Sequence, residues 1–257
     1  MRATQWTALA LALTGGAATT VSAATLSFTD FEGLALTPFV SPTETGKGDG
    51  TDWTDTLPAG WSMTFNGPTG NPVEFQGWRV MDVDSWVATE GNQDRGLWTR
   101  GGVGAHGSVL VADGDAYDDG TNIDTGLMST FARTPAVDLS GLAPGSVTIS
   151  FDSFWRNEET QKGSLRVSYD GGNSFTAIHS YDSAALADGL VIDEHLDIGV
   201  NNPSSGSLVF EFAYTDASND WWWAIDNIRI AALAIPEPSV VTLGLLGFAV
   251  LTLRRRR

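Results

Sequence analysis

Between Leu26 and Ala234 no apolar repeat of 3.6 residues persists for the length of a helix, while short β-rich runs recur between clusters of Gly, Pro, Asn and Asp. The clearest runs are Ser146–Ser153, Ser164–Tyr169, Ser207–Tyr214 and Trp221–Ile230. In Ser207–Tyr214, Leu208, Phe210 and Phe212 fall on one side of an extended chain, and Val209, Glu211 and Ala213 on the other. Earlier candidates are Phe28–Phe31, Trp61–Phe65, Trp78–Met81 and Ser108–Ala112. Many short strands without helices predict an all-β, two-sheet β-sandwich of jelly-roll type. Neither an internal repeat nor a shift in composition divides the run, so it reads as one domain over residues 25–234. Two glycine-rich connections, Ser41–Thr56 and Gly91–Gly107, are longer than hairpins need, as loops that serve a function or are ordered by a ligand tend to be.

Composition removes several kinds of chemistry. The chain has no cysteine, which excludes disulfides, thiolate metal sites and a cysteine nucleophile. Its three histidines, His106, His179 and His195, lack zinc-site spacing. All 31 acidic residues lie between Asp30 and Glu237, whereas five of the 14 basic ones lie in the terminal segments, so the middle carries nine basic residues and a net charge of −22. Such a surface repels nucleic acid and anionic lipid and favours solubility. Enzyme signatures are also missing: there is no Gly-x-Ser-x-Gly, P-loop or Glu-x-Asp-x-x-Glu, and the adjacent Glu158 and Glu159 point to opposite sides of an extended chain. The domain is expected not to be an enzyme.

The two ends read as addresses. Arg2, the apolar Ala8–Leu13 and the small residues through Ser22-Ala23-Ala24 form a secretory signal peptide over residues 1–24, cut near Ala23 or Ala24. At the other end, residues 235–257 combine Pro236-Glu237-Pro238, the uncharged run Val240–Leu253 and the cluster Arg254, Arg255, Arg256 and Arg257. The run is a short transmembrane helix, and its arginines leave the C-terminus cytoplasmic and the acidic body on the far side of the inner membrane. The prolines keep Glu237 in an extended, accessible segment at the membrane surface.

In that order and position, these three parts resemble the PEP-CTERM sorting signal of Gram-negative bacteria. The resemblance implies recognition and processing by an exosortase, an inner-membrane anchor before processing, and a destination at the cell surface, outer envelope or extracellular matrix, in association with exopolysaccharide.

Three motifs lie inside the domain. Ser168–Phe175, SYDGGNSF, resembles the Asp-box hairpin turn, which implies that Asp170 gathers the turn's hydrogen bonds and that the aromatic closes beneath it. The acidic run Asp113–Gly120 supplies Asp113, Asp115, Asp118 and Asp119, which read either as a calcium site completed by Asp226 or Asn227, or by the Asp49/Asp52 loop, or as a solvated turn. The third, NDWWWAIDNIRI, with FEGL at Phe31–Leu34 and LPAGW at Leu57–Trp61, resembles MAM-type and related jelly-roll adhesion modules, which implies adhesion without chemistry. Within it, Trp221 and Trp223 share one face and Trp222 takes the other. Of ten tryptophans, Trp53, Trp86, Trp98 and Trp222 are candidates to line a glycan site, the alternative being core packing. Calcium, on the first reading of the acidic run, is the one cofactor the sequence suggests, and on the second there is none.

Overall fold

A computed structural model describes residues 22–41, 46–68, 72–89, 93–99, 107–118 and 126–235. It bears out the all-β reading: two antiparallel sheets face each other. The seven-stranded sheet runs β11 (Val191–Val200), β8 (Val147–Arg156), β13 (Trp222–Ala232), β5 (Ser108–Asp113), β4 (Arg79–Asp82) and β2 (Trp53–Thr54), with β1 (Ala24–Thr29) also on β13. The six-stranded sheet runs β10 (Thr176–Asp182), β9 (Lys162–Ser168), β12 (Ser207–Ala217), β6 (Met128–Arg133) and β3 (Ser62–Asn66), with the two-residue β7 (Val137–Asp138) on β12.

The last six long strands are dealt between the sheets: β8 and β11 pair in one, β9 and β10 in the other, and β12 and β13 close the centre of each. Alternation along β12 then decides the interior. Phe212 meets Phe151 at 5.2 Å and Trp223 at 5.9 Å between the sheets, while Glu211 faces outward. Trp223 also meets Trp78 at 5.4 Å, and its indole N–H donates to Ser153 Oγ over 3.0 Å. The Trp78 N–H donates to the Phe212 carbonyl, so both large rings bury their polar atom satisfied.

Several elements were not expected. β6, β10 and β11 went unread, β11 because Asp193, His195 and Asp197 alternate with Ile192, Glu194, Leu196 and Ile198, and acidic residues are poor strand formers. Two short helices, α1 (Val83–Ala88) and α2 (Gly114–Asp118), are too brief to show a period. Each begins at an aspartate: Ser85 N donates to Asp82 Oδ1 and Ala116 N to Asp113 Oδ1, both over 3.0 Å. The long connection before β2 is pinned by Asp52, which accepts from Ser85 Oγ and Phe39 N.

Close approach of three rings explains one glycine. A Cβ on Gly163 would lie 2.8 Å from Trp155 and 3.1 Å from both Trp223 and Tyr181. Those rings pack on one another, with Trp155 and Tyr181 stacked at 4.9 Å, and none has room to retreat. Gly163→Ala is therefore expected to cost about 1–3 kcal/mol by overpacking, measured as a lower midpoint in urea unfolding with an unchanged slope.

Candidate functional site

The outer face of the seven-stranded sheet is covered at the end that carries Trp222. α1 and the turn at Arg95–Leu97 lie over it, tied to β11 by Thr99, whose N–H and hydroxyl both donate to Asp193 Oδ2. Beneath them Trp86 meets Trp222 at 5.6 Å and Trp98 at 6.4 Å, both edge to face, and Trp98 stacks on Phe154 at 5.6 Å. Arg95 is wholly buried here, its guanidinium carbon 5.0 Å from the centre of Trp222 and 5.7 Å from that of Trp86. Its Nη2 donates to Asp113 Oδ2 over 2.9 Å and lies 3.6 Å from Asp115, while Nη1 donates to the Thr89 carbonyl. The Trp86 N–H reaches the same Asp113 oxygen over 2.8 Å.

This cluster revises two sequence expectations together. Trp86, Trp98 and Trp222 do converge with Asp113 and Asp115, but the indoles are at most 2% exposed and offer no face to a sugar ring. Trp53 sits apart on β2, 8% exposed, donating to the Pro38 carbonyl. The cation drawn to Asp113 is the Arg95 guanidinium, so that carboxylate already has its countercharge. Asp118 closes α2, and Asp226 lies elsewhere on the sheet, across from Asp152. Asp119 and the sorting residues Pro236, Glu237, Pro238 and Arg254–Arg257 lie outside the described residues. Among the described residues no group of three or more His, Asp or Glu side chains is arranged to hold a metal ion. The tryptophan triplet is also corrected: Trp223 does face away from Trp222, but Trp221 precedes the strand, so alternation does not govern it. It packs at 5.4 Å on Trp222 with the Arg156 guanidinium 3.7 Å above it.

Two other groups have acid–base character. His195 Nδ1 lies 2.6 Å from Asp152 Oδ1, and Asn227 Nδ2 donates to the other oxygen over 2.8 Å, an arrangement that orients an imidazole. Among the described residues no hydroxyl bonds to its Nε2. In the β8–β9 loop, burial and then the charges of Asp188, Asp220, Asp115 and Glu159 push the Glu158 carboxyl up to about 7. Burial likewise raises Asp220, although Ser218 N and Thr160 N donate to it.

The outer face of the six-stranded sheet is, by contrast, open. At its centre Glu211 on β12 stands between its cross-strand neighbours Arg133 on β6 and Arg166 on β9. Arg133 Nε donates to Oε2 over 2.8 Å, and Arg166 Nη1 to Oε1 over 3.5 Å. Phe175 packs on Arg133 at 4.7 Å and Phe131 on Arg166 at 5.5 Å. Phe175 is delivered by the Asp-box turn, which has the expected form. Asp170 Oδ1 accepts from Ser168 Oγ, Asn173 N and Ser174 N, and Oδ2 from Ser174 Oγ. Those bonds hold the Asp170 carboxyl well below the usual carboxylate range. Beside Arg166 opens a cleft of about 270 Å³ lined by Lys162, Ser164, Ser180, Asp182 and Thr215. Sequence reading placed Glu211 on the side opposite Leu208, Phe210 and Phe212, yet it missed both arginines, because their neighbourhood is made by pairing β6, β12 and β9.

No protein-family model and no curated protein sequence matches the chain. Solved structures of similar outline include the K1 cleaved adhesin domain of Lys-gingipain from Porphyromonas gingivalis W83, at 15% identity and TM-score 0.43 over 68% of this chain and 92% of that one. Others are the module TmCBM61 bound to β-1,4-galactotriose (14%, TM-score 0.39, 67% and 88%) and the Stig cyclase Fisc from Fischerella sp. TAU (11%, TM-score 0.41, 84% and 100%).

Two measurements check this account. Arg95→Met leaves Asp113 buried without its countercharge and is expected to cost about 3–5 kcal/mol in denaturant unfolding. For Glu158, the folded carboxyl titrates near 7 against an ordinary 4.5, so the folded state binds the extra proton. Its contribution is fully present below about 4.5 and is lost as pH rises through about 7. Glu158→Gln is expected to raise the melting midpoint at pH 8 and to flatten its fall between pH 5 and pH 8.

Proposed function

We propose that the chain is an exported, non-catalytic jelly-roll module that binds an extracellular polysaccharide through the open face of its six-stranded sheet. One observation carries the reading: on that face Arg133 and Arg166 are each packed on a phenylalanine, and Arg166 lines a cleft that also carries hydroxyl, carboxyl and ammonium groups. Oriented polar donors and acceptors beside flat apolar rings are what a hydroxyl-rich, partly apolar sugar chain requires. The acidic remainder of the surface keeps such a domain soluble and away from nucleic acid and anionic membranes.

Export and sorting complete the proposal. A signal peptide cut after Ala23 leaves β1 whole, because its first residue, Ala24, pairs with Ala232. At the other end Ala234 still bridges to Leu142, and Ile235 N donates to the Gly141 carbonyl. The domain thus closes one residue before Pro236, leaving Pro236-Glu237-Pro238 to an exosortase and the following apolar run to the inner membrane until it is processed.

Glycan-array binding of the full chain tests the binding face. Retention of at least one polysaccharide is expected, and it should weaken in Phe175→Ala but survive in Leu97→Ala, a change at an exposed residue on the turn covering the other sheet. Equal binding by both variants would place the ligand elsewhere.

A further inference from the structure

We propose that the polysaccharide is an acidic one, and that Arg133 and Arg166 take the carboxylate of a uronic acid residue. This rests on the binding face just proposed and names its ligand class.

One charge on this face is not balanced by its immediate partners. Glu211 is one carboxylate, 2% exposed, between two guanidiniums that are 37% and 32% exposed. The trio therefore presents one positive charge in excess, in a chain whose stretch from Asp30 to Glu237 carries −22. Elsewhere on this face Lys162 is bound to Asp216 over 2.8 Å, and Asp182 stands at the cleft. Asp182 offsets that charge over the face as a whole, so the positive excess is local to the two arginines.

Their donors are also fixed in direction. Arg133 spends only Nε on Glu211, and Arg166 spends Nη1 on Glu211 and Nε on Ser164 Oγ. Both Nη groups of Arg133 and Nη2 of Arg166 bond to nothing among the described residues. A ring held on each guanidinium, at 4.7 and 5.5 Å, limits its rotation, so little side-chain freedom remains to be lost on binding. A planar fork of unused N–H groups matches the two oxygens of a carboxylate bidentately and meets an opposite charge there, neither of which a sugar hydroxyl offers. The hydroxyls of Ser180 and Thr215 and the carboxyl of Asp182 then face the sugar hydroxyls in the cleft. Repulsion from the acidic remainder of the surface is screened beyond about 8 Å at physiological ionic strength, which leaves the local excess to decide.

The test uses the full chain with polygalacturonate, dextran and polyglutamate, followed by isothermal titration calorimetry. Polygalacturonate is expected to bind, dextran to bind at least tenfold more weakly, and polyglutamate not to bind. Arg133→Gln is expected to lower polygalacturonate affinity about tenfold or more and dextran affinity by much less, so that the ratio of the two affinities falls. Should Arg133→Gln fail to fold, Arg133→Lys keeps the charge but not the fork and is expected to lose most of the same preference. Dextran bound as tightly as polygalacturonate, with no effect of either variant, would overturn the uronate assignment and leave the glycan face standing. Polyglutamate bound as well as polygalacturonate would identify an acidic-peptide site instead. Binding of no polysaccharide would overturn both.

Discussion

Trp222 and Trp223 are neighbours in the chain and lie on opposite faces of one central strand, and much of the molecule is arranged to cover one or the other. Trp223 meets Trp78, Trp155, Tyr181 and Phe212 and joins the two sheets. Trp222 needs a second cover on the far side, and α1 with the Arg95–Leu97 turn provides it through Trp86 and Trp98. Burying an indole on each face of a sheet demands a third layer on one of them. That layer covers the Trp222 end of the seven-stranded sheet's outer face, while His195 and Arg229 at the other end stay exposed, and among the described residues no such layer crosses Arg133 and Arg166 on the six-stranded sheet.

The same chemical pairing, guanidinium on aromatic ring beside a carboxylate, occurs on both faces with opposite results. Arg95 is enclosed: its Nη donors meet Asp113 and the Thr89 carbonyl, and rings cover it. Such a pair is costly to break and contributes nothing to recognition. Arg133 rests on Phe175 at the surface, with its Nη groups turned to solvent. Burial alone separates a structural arginine from one poised to bind. The Asp-box turn belongs to this second group in effect, since the network around Asp170 fixes Phe175 and Phe175 fixes Arg133.

Strand alternation was legible wherever apolar residues marked one side, as in Leu208, Phe210 and Phe212. It failed in β11, where acidic residues on the outer positions hid an equally regular inner set. It failed at Trp221 for a different reason, because a rule for extended chain says nothing about the residue before the strand begins. The Asp-box turn was read correctly because the side-chain bonds of Ser168 and Asp170 that shape it run within eight consecutive residues.

The sites divide along the same line. Residue type and spacing alone determined the all-β class, the placing of Glu211 on the side opposite Leu208, Phe210 and Phe212, the Asp170 turn and the expected use of both ends as addresses, since each is a local property of the chain. Tertiary structure decided that Asp113 is answered by Arg95, 18 positions away, and that Glu211 lies between Arg133 and Arg166, 78 and 45 positions away. Sequence carries the charges of these groups but not their distances. Whether an aspartate waits for a cation or already holds one, and whether a tryptophan faces a ligand or another ring, depends on contacts made only when distant strands pair.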